Sequence, residues 1–409
     1  MVSESNPLIK AKRRAGRVKR WTKRKVWERN IGKNYKAWLS EAEGVNPGSV
    51  DNTVPIAVVV PVYNPPVAFL RECLESVVNQ SARHWQLIVS DDGSTDVATC
   101  DFLDAFAAEH AKDHRVLVLR APNGGISAAC NRGLAAVTTT HFGWLDHDDV
   151  LDPRCFAHIS ERLAATDADI VYTDEDKINT RGDHFELYCK PDYSPELLLT
   201  QMYLCHFTVF RTALVEAVGG FRSEMDGAQD FDLALRLTPS LTRVEHIPLP
   251  LYHWRAWSES TAQSIEAKPW AQEAAARAQQ EHLGRTSHGG TVRPSAVRGL
   301  NEVHPHVPEF TRVSVIIPTI GTPNDAGTGR FVDDCVRSLV EHENNALLEI
   351  IVVTTGVIPD VRIDGTGEHT LTHVVYDASD FNFSEAINLG RTRATSDWLL
   401  LLNDDTTVA

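Results

Sequence analysis

His141-Phe142-Gly143-Trp144-Leu145-Asp146-His147-Asp148-Asp149 is the stretch on which the fold turns: a short apolar strand that stops abruptly in carboxylates. Carboxylates this close repel one another unless a cation lies among them, so the stretch points to a divalent metal. Open α/β sheets place their ligands at the carboxyl ends of parallel strands. A solvated acidic turn is the plainer reading of an isolated Asp-x-Asp pair. The surroundings of this one argue for more.

Upstream, strands and helices alternate from residue 55. Ile56-Ala57-Val58-Val59-Val60 has the composition of a buried parallel strand between prolines. Leu70, Leu74, Val77 and Val78 then mark the apolar face of a helix over 67–80. Gln86–Ser90 reads as the second strand, ending on Asp91-Asp92-Gly93-Ser94. A helix over 96–110, a strand over 115–119 and a helix over 126–137 lead to the opening stretch. Such alternation predicts a mostly parallel sheet with helices on both faces, an α/β Rossmann-like fold. Further strands are expected at 169–172 and 206–210, and a helix over about 264–283.

Residues 284–311, rich in Gly, Ser, His, Arg and Pro, read as a linker. Beyond it the pattern repeats. Pro61, Asn131 and Asp146 recur as Pro318, Asn388 and Asn403, each at an offset of 257. Ser127-Ala-Ala-Cys-Asn-Arg-Gly aligns with Ser384-Glu-Ala-Ile-Asn-Leu-Gly. The same residue types at the same intervals predict a duplicated domain whose second copy, 312–409, stops just after its acidic motif. Half a sheet leaves an edge uncovered, so the chain reads as a fragment. Where the first copy has Asp91-Asp92-Gly93-Ser94, the second has Val353-Thr354-Thr355-Gly356, without a carboxylate. The expected organisation is a basic arm over 1–50, a complete domain over 51–283, the linker, and the half-copy.

The formal charge of −15 conceals an asymmetry: residues 1–40 carry thirteen Lys or Arg against two Glu, leaving −26 for the rest. Trp27, Ile31, Tyr35 and Trp38 recur at helical spacing among these cations, the make-up of a helix lying on anionic lipid. Gly32-Lys33-Asn34 weakens that helix. An acidic body disfavours nucleic acid as a partner. Seven scattered cysteines without a Cys-x-x-Cys argue against a zinc site or a disulfide framework, hence for a reducing compartment. With no long apolar run and no signal-peptide core, the expected location is cytoplasmic, peripheral to the inner membrane face.

Taken in order, Val60-Pro61-Val62-Tyr63-Asn64, Ser90-Asp91-Asp92-Gly93-Ser94, Asn123-Gly124-Gly125 with Asn131-Arg132-Gly133, Asp146-His147-Asp148-Asp149 and Gly219-Gly220-Phe221 with Gln229-Asp230-Phe231-Asp232 resemble family 2 glycosyltransferases of the GT-A fold. Tyr252-His253-Trp254-Arg255 resembles the closing motif of bacterial polysaccharide and O-antigen enzymes in that family. The resemblance implies inverting transfer of a hexosyl or deoxyhexosyl group from a UDP- or dTDP-linked sugar to a glycan or lipid-linked hydroxyl.

The residues carry that chemistry on their own terms. Asp91 or Asp92 suits the imide N–H of a pyrimidine, with Pro61 and Tyr63 bordering the base. Asp148 is the candidate ligand for Mg²⁺ or Mn²⁺, with Asp146 near the ribose or a metal-bound water. The resemblance puts His253 at the same diphosphate and metal. Asp230 is the candidate general base; a carboxylate of ordinary pKa, near about 3.9, is already ionised at neutral pH. Gln229 stands where many relatives have Glu. Asp174, Glu175 and Asp176 are candidates for the acceptor groove, an exposed polar turn being the plainer account. A sugar nucleotidyltransferase needs a glycine-rich loop and a lysine where this chain has Tyr63-Asn64-Pro65-Pro66. A glycoside hydrolase needs no nucleotide motifs. A non-catalytic membrane scaffold is the remaining alternative.

Overall fold

A computed structural model describes residues 54–257, 269–286, 289–295, 297, 300–306, 311–342, 346–355, 369–376 and 380–408. The basic arm and its expected lipid-facing helix lie outside these residues. The chain divides into two compact units, 1–304 and 305–409.

In the N-terminal unit the alternation runs β1 (Ile56–Val62), α1 (Val67–Val78), β2 (Trp85–Asp91), α2 (Val97–Glu109), β3 (Val116–Arg120), α3 (Ile126–Leu134) and β4 (His141–Trp144). The order β3-β2-β1-β4 is parallel throughout. Every residue of β1 is buried, because the strand is covered on both sides. Its Ile56, Val58, Val60 and Val62 pack with Leu70, Leu74 and Val77 of α1 and Leu103 of α2. Its Ala57 and Val59 face the other way, against Cys130 and Leu134 of α3. The period of two in a strand thus puts helices on both faces, and each fully buried Val or Ile contributes about 1.5–3 kcal/mol. Gly133 is required where α3 meets β1: a Cβ there would lie 2.3 Å from Cγ1 of Val59.

The chain continues through β5 (Val150–Leu151), α4 (Cys155–Thr166), β6 (Ile170–Ile178), β7 (His184–Tyr188), α5 (Pro195–Thr200), β8 (Thr208–Arg211), α6 (Thr212–Ala217), α7 (Gln229–Leu237), β9 (Val244–Arg255) and α8 (Pro269–Arg285). These strands extend the sheet as β4-β8-β6-β9-β5, with β7 beside β6. Here β4–β8, β6–β8, β5–β9 and β6–β7 run antiparallel and only β6–β9 is parallel. The sheet is therefore mixed: a parallel half built by the alternating segment and a mostly antiparallel half. The expected linker also differs, since it contains two paired strands, β10 (Gly290–Pro294) and β11 (Asn301–Pro305). Gly and Pro there punctuate short strands. Among the described residues no helix is long and apolar enough to cross a membrane.

The C-terminal unit contains β12 (Thr311–Thr319), α9 (Phe331–His342), β13 (Ala346–Thr355), β14 (Thr370–Tyr376), α10 (Phe383–Arg391) and β15 (Trp398–Leu401). Its sheet, β14-β13-β12-β15, is parallel throughout. In the N-terminal sheet Ile56 pairs with His141; here Val313 pairs with Trp398, the same offset of 257 on both strands. Gly390 abuts Ile316 as Gly133 abuts Val59. Cys73 Sγ donates to the Asp146 carbonyl, and Cys335 Sγ to that of Asn403.

Candidate active site

The parallel half ends in a cleft of about 380 Å³, lined by residues that follow β1, β2 and β4. From β1 come Pro61, Val62 and Tyr63, the tyrosine half exposed. From β2 comes Asp92, whose carboxylate accepts the backbone N–H of Gly124 (3.1 Å) and Gly125 (2.8 Å) and Nη2 of Arg132 (3.2 Å). A buried carboxylate is tolerable with that many donors, and it fixes the Asn123-Gly124-Gly125 loop along the cleft. Gly93 makes the approach possible: at φ +75° a Cβ would lie 2.7 Å from the Asn123 nitrogen. Asp91 is buried too but does not line the cleft; its Oδ1 accepts from Ser94 N (3.1 Å), and Arg120 stands 3.8 Å from Oδ2. Of the two aspartates, Asp92 is the one that reaches the cleft.

The loop after β4 supplies Asp146, His147 and Asp148 to the cleft, while Asp149 turns inward. Asp149 accepts from the Tyr252 hydroxyl and from Arg255 N (2.7 Å). Burial, then the charges of Asp148 and Asp146, push its carboxyl well above the ordinary range. Arg255, itself buried, donates Nε to the Asp148 carbonyl (2.7 Å) and Nη2 to Glu72 (2.5 Å). Trp257 Nε1 donates to Oδ2 of Asp148 (2.7 Å). The loop is thus pinned from behind by the end of β9, leaving two carboxylates toward the cleft. Their field reaches Cys73, whose thiol is raised by burial first and then by Asp149, Asp148 and Asp146. Two hard oxygen donors in a field this negative fit Mg²⁺ or Mn²⁺.

Asp230 lies in the first turn of α7. Asn131 holds the preceding segment through Nδ2 to the Phe221 carbonyl (2.7 Å) and Oδ1 from Phe221 N (2.8 Å). Asp232, fully buried, accepts from Arg222 and Arg236, so it ties the helix down. Asp230 makes no such ion pair among the described residues; its Oδ1 accepts its neighbour's N–H, from Phe231 (2.8 Å). Its carboxyl departs from the ordinary pKa expected of it. Burial raises it, Asp146 adds to the rise, and His206 opposes it.

His206 is the residue that motif reading overlooked. Its Nε2 stands 3.9 Å from Asp146 and its Nδ1 3.6 Å from Glu175, and its ring stacks on Tyr252. Burial works against its charge, but Glu175 and then Asp146 and Asp149 raise its pKa to about 9. Glu175 is held down to about 2 against its own burial by Lys190 (2.9 Å) and His206.

Two expectations fall elsewhere. Asp174, Glu175 and Asp176 occupy neither a solvated turn nor a groove wall; β6 runs through them and buries all three. Asp174 accepts from Lys190 N and pairs with His246, each at 2.8 Å, and Asp176 pairs with His184 and His253. The partners come from other strands and loops, so nothing near 174–176 in sequence announces them. His253 departs from Asp148 for the same reason. Its neighbour Trp254 lines the cleft, and alternation along β9 turns His253 to a second cavity beside Glu72 and His184.

Comparison with known proteins gives the site a context. Residues 57–218 match the family model described as Glycosyl transferase family 2. A Sinorhizobium fredii protein named y4gI is 36% identical over 367 residues, 86% of this chain and 39% of that one. The O-antigen biosynthesis protein RfbC of Myxococcus xanthus is 32% identical over 384 residues, 91% of this chain and 29% of its own. The hyaluronan synthase of Pasteurella multocida is 30% identical over 190 residues, 46% of this chain and 19% of the synthase. The chain thus spans well under half the length of each. Among solved structures, S. aureus TarS 1-349 in complex with UDP-GlcNAc aligns at a TM-score of 0.47 and 16% identity, over 57% of this chain and 67% of that one.

Proposed function

We propose that this chain, whose residues 57–218 match the model of glycosyl transferase family 2, transfers a sugar, with inversion, from a UDP- or dTDP-linked donor to a hydroxyl of a glycan or lipid-linked acceptor in cell-surface polysaccharide synthesis. The observation that carries this reading is the convergence of Asp92, Asp146 and Asp148 on one cleft at the carboxyl ends of β2 and β4. Tyr63 and Asp92 border the end that takes the nucleobase, with Asp91 shaping the turn behind it. Asp148, with Asp146 beside it, would hold Mg²⁺ or Mn²⁺, whose chemistry when bound would be to neutralise charge on the leaving nucleoside diphosphate.

Asp230 takes the proton of the attacking hydroxyl as the new bond to the anomeric carbon forms and the bond to the diphosphate breaks. A single displacement of this kind inverts the configuration. Burial strengthens Asp230 as a base, and His206, whose pKa is raised to about 9, offsets part of the repulsion between Asp230 and Asp146.

We read the C-terminal unit as a half-copy of the first, on the strength of the shared strand order and the 257-residue offset in register. Register places Thr354 where the first sheet has Asp91, one residue from the alignment by sequence. Lacking a carboxylate there, this half is not the catalyst. The basic arm, on its charge alone, attaches the chain to an anionic membrane face.

Calorimetric titration of the whole chain with UDP and dTDP, each with and without Mn²⁺, tests the assignment. Metal-dependent binding that disappears in Asp148→Ala is the expected result. Absence of binding by folded protein moves the weight to a membrane scaffold, which further predicts that Asp230→Asn changes nothing while loss of the arm abolishes function.

A further inference from the structure

Behind the cleft, Asp176 of β6, His184 of β7 and His253 of β9 come together from three strands. Asp176 Oδ1 lies 2.6 Å from Nδ1 of His253, and Oδ2 lies 2.8 Å from Nδ1 of His184. The two imidazoles meet edge to face with centroids 4.6 Å apart. One donor atom from each residue lies within 4.8 Å of the other two. Asp176 and His253 are buried and His184 is partly exposed. Both histidines line a cavity of about 460 Å³ that also receives Glu72 and the exposed Glu75.

We propose that Asp176, His184 and His253 form a site for a divalent transition ion, Zn²⁺ by preference, separate from the Asp146–Asp148 cleft. Two imidazoles and one carboxylate are a borderline donor set suited to Zn²⁺ rather than to the hard ions that the cleft would take. A tetrahedral ion with bonds of about 2.0–2.1 Å needs its donors about 3.3 Å apart. The two carboxylate–imidazole spacings, 2.6 and 2.8 Å, are shorter than that figure, so the donors draw apart as the ion takes the place of the two Nδ1 protons, each proton passing to Nε2 of its own ring. The cavity supplies an entry path past Glu75 and room for a water in the remaining position. Bound there, the ion clamps the β7 edge to β6 and β9, and so the strand that carries Trp254 into the cleft wall.

The test uses the full chain, stripped with EDTA and titrated with Co²⁺ and then Zn²⁺. Expected are visible ligand-field bands of a low-coordinate Co²⁺ ion, quenched by Zn²⁺, at one ion per chain. The bands should persist in Asp148→Ala, and affinity should fall on the order of 100-fold or more in His184→Ala. His184→Gln serves as the second variant if the alanine protein fails to fold by circular dichroism. No bands in the parent chain, bands lost in Asp148→Ala, or bands undiminished in a folded His184 variant would each overturn the proposal.

Discussion

β4 and β15 occupy the same place in two sheets of the same order and register, yet every residue of β4 is buried while every residue of β15 is exposed. The difference comes from what lies beyond each strand. β4 has β8 on its outer edge and β9 closing over the loop that follows it. Trp144 accordingly stacks on Phe210, whereas Trp398 stays 65% exposed and Leu401 53%. The acidic loops diverge with the strands. After β4 an inward carboxylate, Asp149, is anchored by Tyr252 and Arg255; after β15 the recorded anchor is Thr319 Oγ1 donating to Asp404 (2.5 Å). The lesson is that strand order alone does not make a site. The segment after the parallel half supplies Asp230, His206, Arg255 and Trp257, and with them the anchors and the carboxylate that the proposed transfer calls for.

The sharpest way to break this contrast is through the proposed base. Asp230→Asn should lower the rate of sugar transfer by about 10²–10⁴-fold with donor affinity kept, while Asp405→Asn in the C-terminal loop leaves the rate unchanged; steady-state release of nucleoside diphosphate reads both. Equal loss in the two variants would mean that α7 and the C-terminal loop serve one reaction. Packing gives the next effect. Leu87→Ala in the fully buried core should cost about 2–5 kcal/mol, and Leu400→Ala on exposed β15 under about 0.5 kcal/mol, by chemical denaturation.

A pair of glycines should erase the contrast instead. Gly133→Ala and Gly390→Ala each drive a Cβ into the strand beneath, to 2.3 Å from Val59 and 2.5 Å from Ile316. Each should cost about 1–3 kcal/mol in its own unit. A pH-dependent effect concerns His206, whose folded pKa of about 9 exceeds its ordinary 6.5. The folded state therefore binds the proton more tightly, and the stability this gives is complete below about pH 6.5 and lost as pH rises through about 9. His206→Gln should flatten the pH dependence of stability in that window. An unchanged profile would place the titrating group elsewhere.

Much of this architecture was legible in the chain because it obeys periodicity. Alternating strands and helices, prolines at strand ends and carboxylates at the tips of β2 and β4 are local signals. Three features were not, each because the deciding partner is remote. Asp174-Glu175-Asp176 has poor strand propensity, and Lys190, His184, His206, His246 and His253 help to make its burial in β6 tolerable. β9 carries Pro248 and Pro250, which hide a strand of twelve residues. The choice between Asp91 and Asp92 rested on which faces the Gly124-Gly125 loop, a contact about thirty residues away in sequence.

The thiols lodged beneath the two loops also make the molecule its own chemical clock. Cys73 under the Asp146 carbonyl and Cys335 under that of Asn403 are both buried, and burial suppresses the thiolate in each. An alkylating reagent reaches them only when the surrounding unit opens. Cys189, exposed on the same chain, is reached without any opening and serves as the internal standard. Mass mapping of labelled peptides over time would then give an opening rate for each unit separately, in one tube and without a single substitution.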